Sequence, residues 1–373
     1  MDLATLSAKY GAFYAPAFAV RIGGRDLMRE ELVAVSQVEA DLVLGGSARF
    51  SFTVVDTYSF KDHAFMSGSG KKVLDLLAFG AEVEVCMGYG DAKTMPVIMR
   101  GVITEISTSF PEAGTPELVI SGYDHAFPLV NGKNSRTWSK TKDSGAVQEI
   151  ANFHNLQAAI EETKEAHAQI EQNQESDFEF IKKLAERNHY EVYVDDTGKS
   201  SALRFGKPND RGASIVTLAW GTGLLSFKPE ANLAGQVSAV EVYSHDPKTN
   251  KQIIGRARAG EESGHEAKQR SAGERFNAIV RDSRKHPVLR LRQPVFTQAE
   301  ADTRAKAALN ETAKKFLTGD AEAIGLPEIR PDRNIDLENL GVPFSKTYYI
   351  QQATHKVDTN GYRTRFKIKE TVL

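Results

Sequence analysis

One glycine- and lysine-containing segment has residue types that bind phosphate in P-loops, Ser67-Gly68-Ser69-Gly70-Lys71-Lys72. A P-loop opens with a glycine, and the Ser or Thr that follows its lysine holds Mg²⁺. In this chain Phe65 occupies the position of the first glycine, and Lys72 replaces the Ser or Thr. The segment therefore predicts a flexible loop, and no nucleotide cofactor is expected.

Two further segments begin like known motifs and do not complete them. Gly88-Tyr89-Gly90-Asp91 starts like a dinucleotide-binding fingerprint, but it lacks the third glycine and opens no helix, so a β-turn is the better interpretation. His265 starts like the paired histidines of a zinc metalloprotease, but Gln269 stands where the second histidine belongs. No metal site is expected.

Acid–base chemistry has two weak candidates, Asp124 with His125 and His355 with Asp358. Neighbouring positions on strands and turns do not aim both groups at one substrate, so we expect structural roles and no catalytic residue. A pair of carboxylates for glycoside hydrolysis stays open, because its separation depends on the tertiary structure.

A basic run surrounds one of the two tryptophans. Lys133, Arg136, Lys140 and Lys142 flank Trp138, so the segment could contact phosphates or stack a base. A solvated linker is an equally good interpretation of the same residues.

Composition limits the remaining classes. The chain has 373 residues, 41% of them hydrophobic and 26% charged, with a formal net charge of −2. This length exceeds the roughly 250–300 residues of a single core, so two or more folded domains are expected. Cys86 is the only cysteine, which excludes an intrachain disulfide and is typical of a buried small side chain. No apolar run is long enough for a membrane helix or a signal peptide, so we expect synthesis in the cytoplasm.

The first third of the chain is predicted to be a small β-barrel or sandwich. Alternating apolar residues predict strands within 17–56, and further strands at 81–87, 95–107 and 117–123 are separated by turn-rich segments. A short helix is predicted at 71–79, ending at Gly80.

An α+β unit is predicted to follow. Asp143 or Ser144 could begin one helix, and Ser176 with Glu179 forms a capping box that begins a second. A strand at 190–194, a turn at 195–198 and a return strand at 203–205 complete the unit.

The last part of the chain is again predicted to be β-rich. Strands at 237–243 and 252–254 are predicted to form a hairpin across 246–250, and 257–284 is expected to be a mobile loop or a solvated segment. A second capping box, Thr297 with Glu300, begins a long alanine-rich helix predicted to end at Gly319 and to pack on a sheet. Strands follow at 335–337, 346–355 and 362–368, with an Asn360-Gly361 hairpin turn.

Short segments spread over nearly the whole chain occur in an order that is improbable by chance. They are Gly88-Tyr89-Gly90, Arg100-Gly101-Val102-Ile103, Ser121-Gly122-Tyr123-Asp124-His125, Asn173-Gln174-Glu175-Ser176-Asp177-Phe178-Glu179-Phe180-Ile181, Leu184-Ala185-Glu186-Arg187, Glu300-Ala301-Asp302, Gly325-Leu326-Pro327-Glu328, Tyr348-Tyr349-Ile350, His355-Lys356-Val357-Asp358 and Gly361-Tyr362. Together they resemble the phage late control D and VgrG-like hub proteins of contractile tails and injection systems.

The resemblance implies a mainly β chain with an α+β insert and two related β-barrel domains, three copies of which form a ring with pseudo-sixfold symmetry. We expect a first barrel at 1–131, an inserted α+β domain at 132–223, and a second barrel with a long helix at 224–373. The implied role is a homotrimeric baseplate hub that joins a hexameric tail tube to a trimeric spike. Because larger VgrG-like chains continue into a spike and this sequence ends at Leu373, a separate spike protein is expected.

Two other functions stay open at this stage. A tail-associated cell-wall hydrolase would use Asp or Glu residues as acid and base. A carbohydrate- or nucleic-acid-binding β module would use the region of Trp138.

Overall fold

The computed structural model describes residues 1–246, 251–262 and 270–373. The candidate zinc segment from His265 to Gln269 and the turn at 247–250 lie outside these residues. The described helices are α1 Leu3–Lys9, α2 Val73–Leu76, α3 Phe127–Val130, α4 Asp143–Phe153, α5 Asp177–Asn188, α6 Ala272–Ile279 and α7 Gln298–Ala313.

The strands of the first half, in chain order, are β1 Pro16–Ile22, β2 Arg25–Asp26, β3 Val35–Val43, β4 Arg49–Val54, β5 Tyr58–Ser59, β6 Ala64–Phe65, β7 Glu82–Tyr89, β8 Val97–Ser109, β9 Glu117–Tyr123, β10 Asn134–Lys142, β11 Gln157–Ile160 and β12 Ala166–Glu175. Those of the second half are β13 Glu191–Asp195, β14 Ala202–Gly206, β15 Ser214–Trp220, β16 Gly223–Ala231, β17 Ala239–Asp246, β18 Lys251–Arg258, β19 Val288–Arg292, β20 Leu317–Ile324, β21 Asn334–Glu338, β22 Lys346–Asp358 and β23 Gly361–Glu370.

The first barrel consists of six antiparallel strands in the order β1-β7-β8-β9-β4-β3. Alternate residues along these strands point inward, as in Phe50, Phe52 and Val54 of β4, and form one hydrophobic core. The predicted strands at 81–87, 95–107 and 117–123 correspond to β7, β8 and β9. The predicted helix at 71–79 is shorter, and only α2 forms there.

The second barrel is a closed ring of six strands in the order β22-β21-β15-β16-β20-β23, closed by pairing of β23 with β22. Its core is separate from that of the first barrel. The Asn360-Gly361 hairpin is confirmed, because Asp358 and Gly361 are register partners at the end of β22 and β23. The predicted fold class, mainly β with two barrels and an α+β insert, is therefore confirmed.

One strand belongs to both barrels. The start of β22 pairs with β21, from Lys346 to Tyr349, and its later part pairs with β3 of the first barrel, from Gln352 to Val357. A register irregularity between Ile350 and Gln352 separates the two parts in the pairing with β23. The two barrels are thus hydrogen-bonded to each other through a shared strand.

The α+β insert contains α4 and α5 packed on the three-stranded sheet β11-β14-β13 and on the pair β10-β12, around a core of its own. Its capping box is confirmed: the Ser176 hydroxyl accepts from the Glu179 N–H, and the Glu179 carboxylate accepts from the Ser176 N–H. The predicted hairpin of β13 and β14 is confirmed as well.

A further small unit lies between β16 and β20 of the second barrel. The sheet β18-β17-β19 packs against α7, and the predicted hairpin is present as the antiparallel pair β17-β18. Close packing on the alanine-rich helix is confirmed at Gly255, where a Cβ would lie 2.1 Å from the backbone of Ala301.

Three predictions for this region are wrong. The segment 257–284 is not a loop throughout its described part, because β18 extends to Arg258 and a Ser271–Glu274 capping box begins α6. The helix α7 ends at Ala313, and Gly319 lies in β20, where a Cβ would be 2.8 Å from the ring of Phe227. The second capping box is incomplete, because the carboxylate of Glu300 accepts from Phe296 N–H and not from Thr297.

Candidate functional site: the junction between the two barrels

Tyr89, the last residue of β7, connects the first barrel to the second. Its hydroxyl donates to the carbonyl oxygen of Gly325, which follows β20, at 2.9 Å. Its ring lies against Tyr10 and Phe13, with centroids 5.5 and 5.2 Å away. Burial raises the pKa of the Tyr89 phenol, so the hydroxyl remains a donor at neutral pH.

The other side of Gly325 is occupied by Tyr362 of β23. A Cβ on Gly325 would lie 2.0 Å from the Tyr362 ring, so only glycine fits. The Tyr362 hydroxyl is 2.8 Å from Nδ1 of His355, whose Nε2 is 2.9 Å from the carbonyl oxygen of Ile329. A carbonyl only accepts, so Nε2 carries the hydrogen and Nδ1 accepts from the tyrosine.

His355 is fully buried at this junction and stays neutral. Burial lowers its pKa to about 3, and the charge of Arg330 acts in the same direction. A histidine with both ring nitrogens occupied and no access to solvent holds the junction in place and does not exchange protons with a substrate.

Glu328 attaches the N-terminal helix α1 to the same segment. Its Oε1 accepts from the Tyr10 hydroxyl at 2.7 Å and from the Lys9 ammonium at 2.8 Å. Burial, followed by the bond to Glu328, raises the pKa of Tyr10 to about 12. The chain start is thereby fixed to the region where the barrels meet.

Arg100 of β8 docks the α+β insert on the first barrel. Its backbone N–H donates to a carboxylate oxygen of Asp196, in the turn between β13 and β14, at 2.9 Å. Its guanidinium donates to the carbonyl oxygens of Asp196 and Gly198, both at 3.1 Å. Burial raises the pKa of Asp196, and the bonds from Ser201 and Arg100 oppose that effect.

Arg330 completes the three-way contact. Arg330 lies between β20 and β21 of the second barrel. Its Nη2 donates to the carbonyl oxygen of Val97 in β8, and its Nε donates to the carbonyl oxygen of Pro327 at 3.3 Å. Burial lowers the pKa of Arg330, while the carboxylates of Asp196 and Asp195 favour its charged form. First barrel, insert and second barrel therefore meet around the half-buried side chain of Arg330.

A cleft of about 450 Å³ opens at this junction. Its charged and phenolic lining residues are Lys9, Tyr10, Asp196, Glu328, Arg330 and Arg333. They bond to one another and to backbone carbonyls, as Arg333 does to the carbonyl oxygen of Asp332 at 2.9 Å. The geometry is that of a joint between three units.

The sequence pair Asp124 and His125 is not brought to one site. The Asp124 carboxylate accepts from the Ser47 hydroxyl at 2.6 Å and from the N–H groups of Ala48 and Ala126 at 2.8 and 3.0 Å. Burial raises its pKa to about 6. His125 points elsewhere, with Nε2 3.0 Å from a carboxylate oxygen of Glu82.

The second sequence pair is also separated. Asp358 accepts from the Asn360 N–H at 2.7 Å in the hairpin turn and lies 3.3 Å from the Lys356 ammonium. His355 is buried among the junction residues described above. The hydrogen bond from Asn360 lowers the pKa of Asp358, burial opposes this effect, and the nearby Lys356 lowers the pKa further.

The basic run around Trp138 lies in β10 and directly before it, so the interpretation as a linker is wrong, and so is the prediction that the indole ring stacks a base. Trp138 is 8% exposed and stacks on Phe180 of α5, with ring centroids 5.2 Å apart and planes at 8°. Its indole N–H donates to Glu149 of α4 at 2.8 Å. The aromatic ring is part of the core of the insert and is not available to a ligand.

Asp177 was missed as a key residue, although it lies in the most specific segment of the resemblance. One carboxylate oxygen accepts from Asn134 and Arg136 of β10, both at 2.9 Å, and from Gln172 of β12 at 2.7 Å. The other lies 2.7 Å from Nε2 of His154, which follows α4. The side chain therefore fixes two strands and a helix end to the start of α5.

A buried ionic cluster attaches the insert to α7. The Asp143 carboxylate is paired with Arg187 and lies 3.3 Å from His167, whose other ring nitrogen is 3.7 Å from Glu300. Burial alone would raise the pKa of Asp143, but the hydrogen bonds from His167 and Arg187 lower it to about 2. Glu300 pairs in turn with Arg304 at 2.5 Å.

The remaining motif candidates have local explanations. In the glycine-rich loop the Ser67 hydroxyl accepts from Lys71 N–H at 3.1 Å, and the Lys71 ammonium pairs with Glu31 at 2.6 Å. The turn after β7 is confirmed, with Gly90 at a φ of +79°. Cys86 is buried, and burial raises the pKa of its thiol to about 12.

Neither a metal cluster nor a membrane helix is found in the described part of the chain. No group of three or more His, Cys, Asp or Glu side chains there is arranged to hold a metal ion. Of the helices given above, none is both long and apolar enough to cross a bilayer.

Several solved structures have a similar fold over nearly the full length of this chain. The 43 kDa tail protein of prophage MuSo2 from Shewanella oneidensis is 14% identical with a TM-score of 0.68, covering 95% of this chain and 98% of its own. A tail protein from Neisseria meningitidis is 14% identical with a TM-score of 0.67, covering 96% and 97%. The c3393 protein of E. coli, a component of the type VI secretion system, is 11% identical with a TM-score of 0.56, covering 94% and 76%.

The fold is thus that of phage tail proteins and of a type VI secretion component. The chain belongs to the family described as the Alg8 N-terminal domain, whose model matches residues 19–359. No curated protein matches it in sequence.

Proposed function

We propose that the chain is a non-enzymatic baseplate hub of a contractile tail or injection system. The observation that carries the proposal is the presence of two six-stranded barrels in one chain, joined through β22. Three copies would place six barrels in a ring, so that one face matches a hexameric tail tube and the other a trimeric spike. A repeat within the chain converts threefold into sixfold symmetry.

The rigidity of the junction supports this role. An adaptor must hold its two barrels in a fixed relation, since each occupies one of six equivalent places. The shared strand, the Tyr89–Gly325 bond and the hydrogen bonds of Arg330 restrict the relative movement of the barrels. We infer that the junction residues act as this fixed joint.

The division into domains belongs to the same proposal. We assign 1–131 to the first barrel, 132–223 to the insert and 224–373 to the second barrel, with β15 reaching from the second assigned segment into the second ring. Each of the three units has a core of its own, which supports this division, although Leu6 of α1 and the following Tyr10 pack in the core of the second barrel. Assembly in the cytoplasm with tube, spike and other baseplate proteins follows from the hub role.

The test is the mass of the purified protein by light scattering, together with particle images. The expected result is a particle of about three times 41.0 kDa with a central hole. A monomer at micromolar concentration that binds neither tube nor spike protein contradicts the proposal. Clearing of purified peptidoglycan by the protein would instead favour a hydrolase.

A further inference from the structure

The sheet β18-β17-β19 has one covered and one open face. Alternate residues of β17 and β19, among them Val242, Leu289 and Leu291, face α7 and form a small core. The intervening residues lie on the open face, including Arg290 and Arg292, which are both exposed.

One edge of this sheet is closed by hydrogen bonds from side chains. The N–H of Arg256 in β18 donates to Asp302 of α7 at 3.2 Å, and Gln298 of α7 donates to the carbonyl oxygen of Ile254 at 2.8 Å. The N–H of Arg258 donates to Glu261 at 3.0 Å. Another chain cannot pair with β18 without displacing these groups.

The other edge, at β19, is open. Gln293 N–H donates to Tyr243 at 3.2 Å, and Pro287 accepts from Ser238 at 2.9 Å, so the odd-numbered residues of β19 face β17. The N–H and C=O groups of Val288, Arg290 and Arg292 therefore point away from the sheet. Within the described residues no strand pairs with this edge and these groups have no hydrogen-bond partner.

The open edge is positively charged. Arg290 and Arg292 lie two residues apart, roughly 6.6 Å along the strand. Glu241 of β17 lies between them and β18, and it is already bound by Arg290 at 3.2 Å and Arg256 at 3.4 Å. The hydroxyl of Tyr243 also donates to Glu241 at 2.6 Å. Two guanidiniums therefore have capacity for further carboxylates.

We propose that the open edge of β19 binds an extended acidic segment of a different protein chain, which adds to the sheet as a fourth strand. Carboxylates at every second position of that segment would lie opposite Arg290 and Arg292, because cross-strand neighbours are about 5 Å apart. The proposal goes beyond the proposed function and is argued from this sheet alone.

The chemistry of the edge favours an acidic polypeptide over two other occupants. The outward backbone groups alternate between donors and acceptors, which matches another strand, whereas a phosphate backbone offers acceptors alone and would meet the carbonyl oxygens unfavourably. A second copy that pairs through its own β19 would bring arginines against arginines, which destabilises the pair.

The experiment is a fluorescence-anisotropy titration of the purified protein with a labelled seven-residue peptide, Thr-Glu-Val-Glu-Val-Glu-Thr. Matched probes are the peptide with lysine for glutamate and a 20-nucleotide oligothymidylate. Arg290→Glu with Arg292→Glu is expected to weaken binding about tenfold or more, since charge-assisted bonds become repulsive. Val288→Pro keeps the charge but removes an outward N–H, and is expected to weaken binding several-fold.

Arg258→Glu is the matched control, because it changes one charge on the same face at the closed edge; binding within about twofold of the unchanged protein is expected. Circular dichroism checks that each variant is folded. Absence of peptide binding, equal binding to the Val288→Pro variant, or tighter binding of the oligothymidylate each overturns the proposal. So does self-association that is lost in Val288→Pro. A failed ring, by contrast, appears in light scattering and leaves this titration unaffected.

Discussion

Tyr89 and Gly325, 236 residues apart, are joined by a hydrogen bond of 2.9 Å from the phenol to the carbonyl oxygen. Both lie in short segments that carry the resemblance to hub proteins, Gly88-Tyr89-Gly90 and Gly325-Leu326-Pro327-Glu328. Tyr362, from a further such segment, packs on the same glycine, and its hydroxyl lies 2.8 Å from Nδ1 of His355, from another. Four of the separate motifs of the sequence thus meet at one junction in space.

Tyr89→Phe tests the contribution of that hydrogen bond. Removal of the hydroxyl leaves the Gly325 carbonyl without this donor, and we expect a loss of about 1 kcal/mol in the free energy of unfolding. Urea denaturation followed by circular dichroism measures it. Tyr14→Phe, at a position 91% exposed, is the control and should change nothing measurable. Equal stability of both variants would show that the bond contributes nothing.

Gly325→Ala tests the tight packing at the junction. The new Cβ would lie 2.0 Å from the Tyr362 ring, which is held in place by His355, so a loss of about 3 kcal/mol or more is expected. Thermal unfolding of the purified variant measures it. Gly198→Ala is the matched control, because its Cβ meets nothing nearer than 3.5 Å. A Gly325→Ala variant as stable as the control contradicts the described packing.

The two tryptophans allow a direct comparison of buried and exposed rings. Trp138→Ala removes the stack on Phe180 and leaves Glu149 without its indole donor, so about 3–5 kcal/mol should be lost. Trp220 is 60% exposed, and Trp220→Ala should cost less than about 1 kcal/mol. Denaturation midpoints of the two variants give the answer. The opposite order would mean that Trp138 is a surface residue after all.

His355 predicts a pH dependence of stability. Its pKa is about 3 in the folded chain against the ordinary histidine value of 6.5, so between these values the unfolded chain binds a proton that the folded chain does not. Its contribution to stability is therefore complete above about pH 6.5 and is lost as the pH falls towards 3. Asp124, with a pKa raised to about 6, acts in the opposite direction between about 4 and 6.

The His355 contribution can be separated by difference. Urea denaturation of the unchanged protein and of His355→Asn between pH 5 and 7 gives two slopes of stability against pH. The variant should show a slope smaller by up to one proton, whatever its absolute stability. Identical slopes would show that His355 is not buried in its neutral form.

Local signals in the sequence were sufficient for several elements. The Ser176–Glu179 capping box and the Asn360-Gly361 turn depend on residues within four positions of each other, and both form as predicted. The pairing of β22 with β3 depends on residues more than 300 positions apart, such as Gln352 and Val43, and no local pattern indicates it. Local patterns do not indicate the closure of the second ring for the same reason.

The wrong predictions come from residues whose tertiary surroundings overrule their usual role. Glycine frequently ends helices, but Gly319 lies within a strand, beneath the ring of Phe227. The lysines and arginine near Trp138 are typical of an exposed segment, yet alternate residues of β10 face opposite sides and direct the indole inward. Asp177 gave no signal of its own, since a buried carboxylate becomes evident only with its four partners in place.

The shared strand β22 couples the unfolding of the two barrels. If β22 detaches from one barrel, hydrogen bonds of the other barrel are broken as well. The two barrels therefore cannot unfold one after the other as independent domains. A duplicated architecture of this kind also cannot be split into two working genes at its middle, because the strand that completes one half is encoded near the end of the other.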